Sequence, residues 1–391
     1  MAFPCEAGRT RTTVWTMRKV LLVLFCGLLA GCSKRQSSEE IRRLDELEKR
    51  LTARRLNERF DEEMRAETER QNPPPESSTA LQRLEKLAEE GSADAQFDLA
   101  GMYASGKDLP KDDVKAFEWY KKAAFQGHTG AQFKLAGIYA NGIGTEKNEN
   151  KAVDYLTKAA TQGHAEAQFN LGVAYASGKG VAPDVAKAFD WFQKAAAQGD
   201  AEAGNHLGGM YAGGIGVEQD EAKAVEWFQK SAALGDPEAQ FNLGVMYASG
   251  RGVVPSEDKA FEWLGKAAAQ DHAEAQCNLG VMYSSGIAVP KNETKALEWF
   301  EKAATLGDSR AQVNVGILYA SGAAIARDDV RAYAWFRIAA ATGNSDAIKN
   351  RDFLRKRMTS EQEAEAQKLS EEIEEKLRER QQARAAASRH H

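Results

Sequence analysis

The chain of 391 residues has few cysteines, few prolines and no long hydrophobic run. Its four cysteines are too few for the disulfide framework that small secreted domains rely on. Nine prolines against thirty-three glycines leave long stretches free to form helices that end at glycine. No collagen-like or low-complexity pattern is present. These absences favour a helical protein over a fibrous or disulfide-stapled one.

Positive charge is not in excess, since 52 lysines and arginines stand against 57 aspartates and glutamates, a formal net charge of −5 at pH 7. Nucleic-acid binding needs a clustered excess of lysine and arginine to neutralise phosphates. No such cluster stands out, so we expect no nucleic-acid partner.

The most apolar stretch, residues 20–29, is too short to span a bilayer, which takes about 20 residues. It follows Met17-Arg18-Lys19 and precedes Leu29-Ala30-Gly31-Cys32. This order is typical of a cleaved secretory signal, with Met17 as a suitable start. An uncleaved signal anchor and a buried cytosolic helix are the alternatives.

The segment that ends at Cys32 resembles a bacterial lipobox. The resemblance implies that residues 1–31 are removed and that the thiol of Cys32 is acylated, which anchors the protein to a membrane. Ser33 next to it implies the outer membrane, facing the periplasm. We therefore expect a lipid-anchored protein of the bacterial cell envelope.

A charged segment and a proline-rich segment follow the lipobox. Residues 32–71 are dense in Glu and Arg, with apolar positions that keep no clean heptad, so a solvated helical stalk and plain disorder are both open. Residues 72–79 contain three consecutive prolines and predict an extended linker.

A 36-residue repeat occupies most of the remaining chain. Its commonest text is A-Q-F-x-L-G-x-M-Y-A-S-G-x-G-V followed by D-x-x-K-A-x-E-W-F-x-K-A-A-x-x-G. Seven copies run without an insertion, and they begin at Ala95, Ala131, Ala167, Ala203, Ala239, Ala275 and Ala311.

Each copy predicts two helices joined by short turns, which makes neighbouring helices antiparallel. A recurring glycine is expected to cap the first helix in the left-handed conformation, at Gly106, Gly142, Gly178, Gly214, Gly250, Gly286 and Gly322. A side chain with a capping oxygen is expected to start the second helix, at Asp112, Asn148, Asp184, Asp220, Ser256, Asn292 and Asp328.

These residues resemble the Sel-1-like repeat family, a relative of the tetratricopeptide repeats. The resemblance, together with the helix pairs that cannot bury their own apolar stripes, predicts an all-α fold. We expect an α/α solenoid (superhelix) of seven helix-turn-helix repeats over residues 80–346. It includes an N-terminal half repeat, and residues 347–391 form C-terminal capping helices and a tail. Asp108, Ala288 and Ala324 replace a loop glycine, so their loops are expected to differ locally.

The candidates for chemistry have simpler structural interpretations. His128, His164 and His272 occupy a position where other copies place aspartate, which predicts capping rather than metal binding. Cys277 replaces a phenylalanine of other copies and predicts a small core residue rather than a nucleophile. We therefore predict no enzyme activity, cofactor or metal site.

A basic residue recurs in the first turn of the second helix, where the helix dipole disfavours a cation. The row comprises Lys115, Lys151, Lys187, Lys223, Lys259, Lys295 and Arg331. Either its stems pack across the neighbouring repeat or it binds an acidic partner, with Lys187, Lys223 and Lys259 as the main candidates.

The main functional hypothesis is a protein-interaction scaffold that holds a peptide or protein client in its groove. A component of an envelope polysaccharide-export or secretion machine is a more specific version. A hydrolase acting on β-lactam or cell-wall compounds, as implied by cysteine-rich relatives, is the remaining alternative. Candidate groove residues are polar first-helix positions expected to be exposed, namely Gln168, Asn170, Gln240, Asn242, Gln276, Asn278, Gln312 and Asn314.

Overall fold

The computed structural model describes residues 76–387, which form seventeen α-helices. The predicted signal peptide, Cys32, the stalk and the first part of the linker lie outside these residues. The chain divides into two compact units, Met1–Arg83 and Leu84–His391. Of the first unit only the opening of helix α1 is described, so the account below concerns the second.

Each of the seven repeats contributes a first and a second helix, as the sequence predicts. The first helices are α2 (Ala93–Ser105), α4 (Thr129–Asn141), α6 (Ala165–Ser177), α8 (Ala201–Gly213), α10 (Pro237–Ser249), α12 (Ala273–Ser285) and α14 (Ser309–Ser321). The second helices are α3 (Asp113–Phe125), α5 (Glu149–Thr161), α7 (Val185–Ala197), α9 (Glu221–Ala233), α11 (Glu257–Ala269), α13 (Glu293–Thr305) and α15 (Asp329–Ala341). No helix in the described part of the chain is long and apolar enough to cross a membrane.

Three more helices flank the repeats: α1 (Glu76–Glu89) before them, and α16 (Ser345–Arg355) and α17 (Ser360–Ala387) after them. The prediction of an extended linker to residue 79 is wrong for its last four residues, which already belong to α1. A proline restricts the residue that precedes it, not the one that follows, so a helix can start directly after Pro75.

The caps predicted from the sequence are confirmed at both ends of the helix pairs. Gly178 ends α6 with φ of 74°, and its equivalents in the other repeats are left-handed too. Asp184 starts α7, and its carboxylate accepts a hydrogen bond of 3.0 Å from the backbone N–H of Lys187. The capping box before α17 also forms, because Thr359 and Gln362 each bond the other's backbone N–H, at 3.0 and 3.2 Å.

Glycines inside the first helices let the two helices of a repeat approach closely. A Cβ atom on Gly172 would lie only 2.7 Å from the ring of Phe192, and one on Gly244 only 2.8 Å from Cγ of Leu264. A larger residue at either position would therefore require the facing side chain or its helix to move.

The core runs continuously from repeat to repeat. Phe192 of α7 and Leu207 of α8 belong to one buried cluster, and Trp227 of the following helix α9 packs against it. Because each cluster draws side chains from adjacent repeats, no repeat has an interior of its own.

Candidate protein-binding surface

The outward side of the first helices presents a repeated polar and aliphatic pattern, which we call the first-helix strip. In four repeats the strip consists of an asparagine, an aliphatic residue three positions later and a serine. Its members are Asn170, Val173 and Ser177; Asn242, Val245 and Ser249; Asn278, Val281 and Ser285; and Asn314, Ile317 and Ser321.

The strip combines exposed aliphatic side chains with amides that have spare hydrogen-bonding capacity. Val281 and Ile317 are 40% and 44% exposed. The half-buried side-chain amides of Asn170, Asn278 and Asn314 have no hydrogen-bond partner within residues 76–387. An asparagine amide offers two donors and an acceptor, which matches the needs of a peptide backbone.

Asn242 differs because its Nδ2 donates a 3.0 Å hydrogen bond to Oδ1 of Asn205 in the preceding repeat. Asn205 stands at a position where four other repeats carry phenylalanine. The next residue, His206, stands where four other repeats carry asparagine. The strip is therefore interrupted at the fourth repeat.

The prediction that the first-helix glutamines are exposed is wrong. Gln168, Gln240, Gln276 and Gln312 are 2% to 6% exposed. Nε2 of Gln168 donates to the carbonyl of Ala160 at 3.0 Å, in the second helix of the preceding repeat. These side chains connect repeats internally, so they are not part of the strip.

The glutamines also pair with one another thirty residues apart. Nε2 of Gln198 donates to Oε1 of Gln168 at 2.8 Å, and the same bond occurs in three other places, Gln126 to Gln96, Gln162 to Gln132, and Gln270 to Gln240. Where the donor is replaced, by Leu306 and Thr342, the buried Oε1 atoms of Gln276 and Gln312 have no partner. Burying an amide oxygen without a hydrogen bond destabilises a fold, so these two repeats are expected to be less stable than the four that have the glutamine pair.

The row of basic residues in the second helices has a compensating contact inside its own repeat. Nζ of Lys187 lies 5.2 Å from the ring centre of Tyr175 and 3.2 Å from the carboxylate of Asp184. The remaining six members lie over the equivalent tyrosine rings at 5.0 to 5.6 Å. This contact lies within one helix pair, so it is a different contact from the packing of the stems across the neighbouring repeat that the sequence suggested.

These cations nevertheless stay accessible. The side chain of Lys187 is 59% exposed, that of Lys223 is 56% exposed, and Lys259 is exposed as well. The hypothesis that these lysines bind an acidic partner therefore remains a prediction.

The three histidines act as helix caps. Nδ1 of His128, His164 and His272 accepts the backbone N–H three residues later, at 3.0 to 3.2 Å. Each ring also stacks on a phenylalanine of the preceding repeat, at about 4.5 Å for His128 on Phe97. Within the described residues no group of three or more His, Cys, Asp or Glu side chains could hold a metal ion.

Cys277 is a buried core residue, as predicted, with 2% exposure. Burial raises the pKa of its thiol to about 12, with a further contribution from the nearby charge of Asp308. A nucleophilic cysteine needs the opposite shift, so this thiol is unsuited to catalysis.

A cavity of about 450 Å³ opens between the second and third repeats. Its walls come from α4, α5 and α6, and they include Lys134, Gly137, Val173 and the loop residue Lys179. The cavity therefore lies along the first-helix strip, next to Asn170.

Taken together, stacked helix pairs with an accessible strip of first-helix side chains define an α/α-solenoid interaction scaffold. The Sel1 repeat model matches seven consecutive segments, at residues 93–128, 129–164, 165–200, 201–236, 237–272, 273–308 and 309–344. The chain belongs to the Sel1 repeat family.

Two solved structures are similar to the chain in sequence and in fold. One is c5321, a protective antigen present in uropathogenic Escherichia coli strains, with 35% identity and a TM-score of 0.72 over 79% of this chain and 66% of that one. The other is a Sel1 repeat protein from Oxalobacter formigenes, with 33% identity and a TM-score of 0.60 over 71% of this chain and 81% of that one. The chain thus spans just under two thirds of the E. coli antigen. No curated protein sequence matches it.

Proposed function

We propose that the protein is an interaction scaffold of the bacterial cell envelope that holds an extended segment of a client protein along the first-helix strip. Sel1 repeats and their relatives mediate protein–protein interaction. The observation that carries the proposal is the set of half-buried amides without partners at Asn170, Asn278 and Asn314, each beside an exposed aliphatic side chain. Amides bind the backbone of any sequence, while the aliphatic residues select apolar side chains.

Site-specific photocrosslinking in intact cell envelopes tests this function. A photoreactive residue at position 281, on the strip, is expected to capture a discrete set of proteins. The matched control carries the same residue at position 298, on the exposed side of the second helix α13. Equal capture from both positions would contradict the proposal.

A second variant separates binding from folding. Replacing Asn170, Asn278 and Asn314 by alanine removes the free amides and leaves the buried core untouched. We expect capture from position 281 to fall while the circular dichroism spectrum and the melting temperature are retained.

The envelope location rests on the lipobox-like sequence that ends at Cys32. We infer that this cysteine carries the lipid anchor of an outer-membrane lipoprotein. Metabolic labelling with a radioactive fatty acid is expected to label the protein, and Cys32→Ser is expected to abolish the label. A labelled serine variant would contradict the anchor.

The client of an envelope scaffold of this kind could belong to an export or secretion machine, which is the same function with a specific partner.

The hydrolase alternative has less support. Cys277, the cysteine within residues 76–387, is buried with a raised pKa, and the groups that shift this pKa are Asp308, Arg310 and Glu274, with no histidine among them.

A further inference from the structure

The cavity between the second and third repeats is lined at one strip position by a glycine. Gly137 occupies the place of Val173, Val245, Val281 and Ile317 in other repeats, and a Cβ atom added there would meet nothing within 4 Å. The missing side chain leaves an open space bounded by Val153 and Leu156 of α5 and by Val173 of α6. The cavity is large enough for one side chain of a bound segment or for a small ligand.

Two lysines line this cavity. Lys134 stands where most repeats have asparagine, and it is the one lysine or arginine at this position among the seven repeats. Lys179 follows the capping glycine of α6. Neither forms an ion pair within the described residues.

The one acidic residue of the cavity is already neutralised. The carboxylate of Glu149 lies 2.8 Å from Nζ of Lys147, whose hydrogen bond and charge lower the pKa of Glu149, and the charge of Lys179 lowers it further. The cavity therefore has an excess of positive charge in a chain whose formal net charge is −5.

We propose that this cavity binds a glutamate side chain of the client segment, so that the client carries an acidic residue at one fixed place in its sequence. The inference rests on the proposed function and adds a specificity determinant to it. The carboxylate pairs with Lys134 and Lys179, and the methylene groups of the glutamate contact Val173 and Leu156. The remaining strip contributes affinity that depends less on sequence.

The proposal makes Gly137 the most informative position. Gly137→Leu fills the open space of the cavity, and leucine favours a helix more than glycine does, so the fold is expected to be kept or stabilised. The matched control is Gly209→Leu, because Gly209 occupies the same position of the fourth repeat and its added Cβ also meets nothing within 4 Å. Lys134→Gln removes a charge without filling the cavity. Lys107→Gln, which removes an exposed lysine that does not line the cavity, controls for the loss of a positive charge.

The probe is an array of acetylated and amidated twelve-residue peptides, in which every peptide with a central glutamate has a twin with glutamine. The full chain is expected to bind glutamate peptides about tenfold better than their twins, as a charge-assisted contact implies. Gly137→Leu and Lys134→Gln are each expected to abolish this preference, while Gly209→Leu and Lys107→Gln keep it.

The outcomes separate this inference from the proposed function. If peptides bind and the triple asparagine variant weakens them, but glutamate and glutamine twins bind equally, the scaffold function stands and the glutamate site is wrong. A second set of the same peptides is synthesised with a free carboxyl terminus. If this set binds better than the amidated one whatever the central residue, the glutamate site is also overturned. If no peptide binds, both proposals fail.

Discussion

At the residue scale, the loop position after the first helix shows how strongly the repeat constrains backbone conformation. Gly180 has φ of 74° and packs so closely that an added Cβ would overlap the carbonyl of Glu149 in the preceding repeat. Ala288 replaces this glycine in the sixth repeat and still adopts φ of 62°. The expected change of loop conformation is therefore wrong at Ala288 and also at Asp108, which has φ of 65°. Stacking against the neighbour holds the left-handed backbone in place.

That strain can be released by substitution. Ala288→Gly is expected to raise the free energy of unfolding by about 1 kcal/mol, since a left-handed residue with a Cβ costs roughly that much. Urea denaturation measures the change. Ala324→Gly is the control, because Ala324 does not have a positive φ and should gain nothing.

The unpaired glutamine oxygens give a second prediction at this scale. Leu306→Gln restores the donor that other repeats place thirty residues after the buried glutamine, so it is expected to bond Oε1 of Gln276 and to stabilise the protein by about 1 kcal/mol.

The equivalent substitution two repeats earlier serves as the control. Leu234→Gln should bring no such gain, because the residue thirty positions before it is Gly204 and offers no amide. Equal melting temperatures for Leu306→Gln and the unmodified chain would show that the oxygen of Gln276 imposes no cost.

Some of these residue-scale features could be predicted from the sequence and others could not. The caps were predictable, since a glycine or an aspartate at a helix end has one dominant physical role. The buried glutamines were not, because a polar residue beside an apolar stripe is normally solvated. The signal that could have revealed them is a second glutamine thirty residues later in four repeats, which indicates a paired contact.

At the scale of the element, the second helices depend on their N-terminal caps. The carboxylates of Asp184 and Asp220 accept backbone N–H bonds at the starts of α7 and α9, and these bonds, followed by the hydrogen bonds of Lys187 and Lys223, lower their pKa values. The same interaction that fixes the helix start therefore also makes it sensitive to acid.

The sign of this pH dependence follows from linkage. A carboxyl whose pKa is lower in the folded state contributes stability above its unfolded pKa, and the contribution is lost as the pH falls through the lowered value. Replacing Asp184 and Asp220 together by asparagine, the cap used at Asn148 and Asn292, should keep the helices and flatten the acid side of the stability profile. Thermal melts between pH 5 and about pH 2 would check this, and an unchanged slope would contradict it.

At the scale of the whole molecule, stability is distributed over equivalent contacts between neighbours. The 36-residue period was readable from the sequence, and so was the need for stacking. The cavity was not, because it depends on the space that Gly137 leaves between two first helices. A glycine at that position is visible in the sequence of three repeats, at Gly101, Gly137 and Gly209, but only the packing of α5 and α6 around Gly137 shows a recess.

Because neighbouring repeats make equivalent contacts, we expect that one complete repeat can be deleted without loss of folding. Deleting residues 201–236 joins Asp200 to Pro237, so that Asp200 caps α10 in place of Asp236. We expect a folded protein with one unfolding transition and a urea m-value reduced roughly in proportion to the residues lost. Deleting residues 201–218 alone removes α8 without α9, and it is expected to abolish cooperative unfolding.

The exception in the fourth repeat has an evolutionary consequence. Gly204 lacks the glutamine amide, and Ser231 supplies a replacement by donating to the carbonyl of Ala201 in the same repeat. Both changes lie within one 36-residue stretch, so an unequal crossover in the gene copies or discards them together. Duplication can thus lengthen the array without separating Gly204 from the serine that compensates for it.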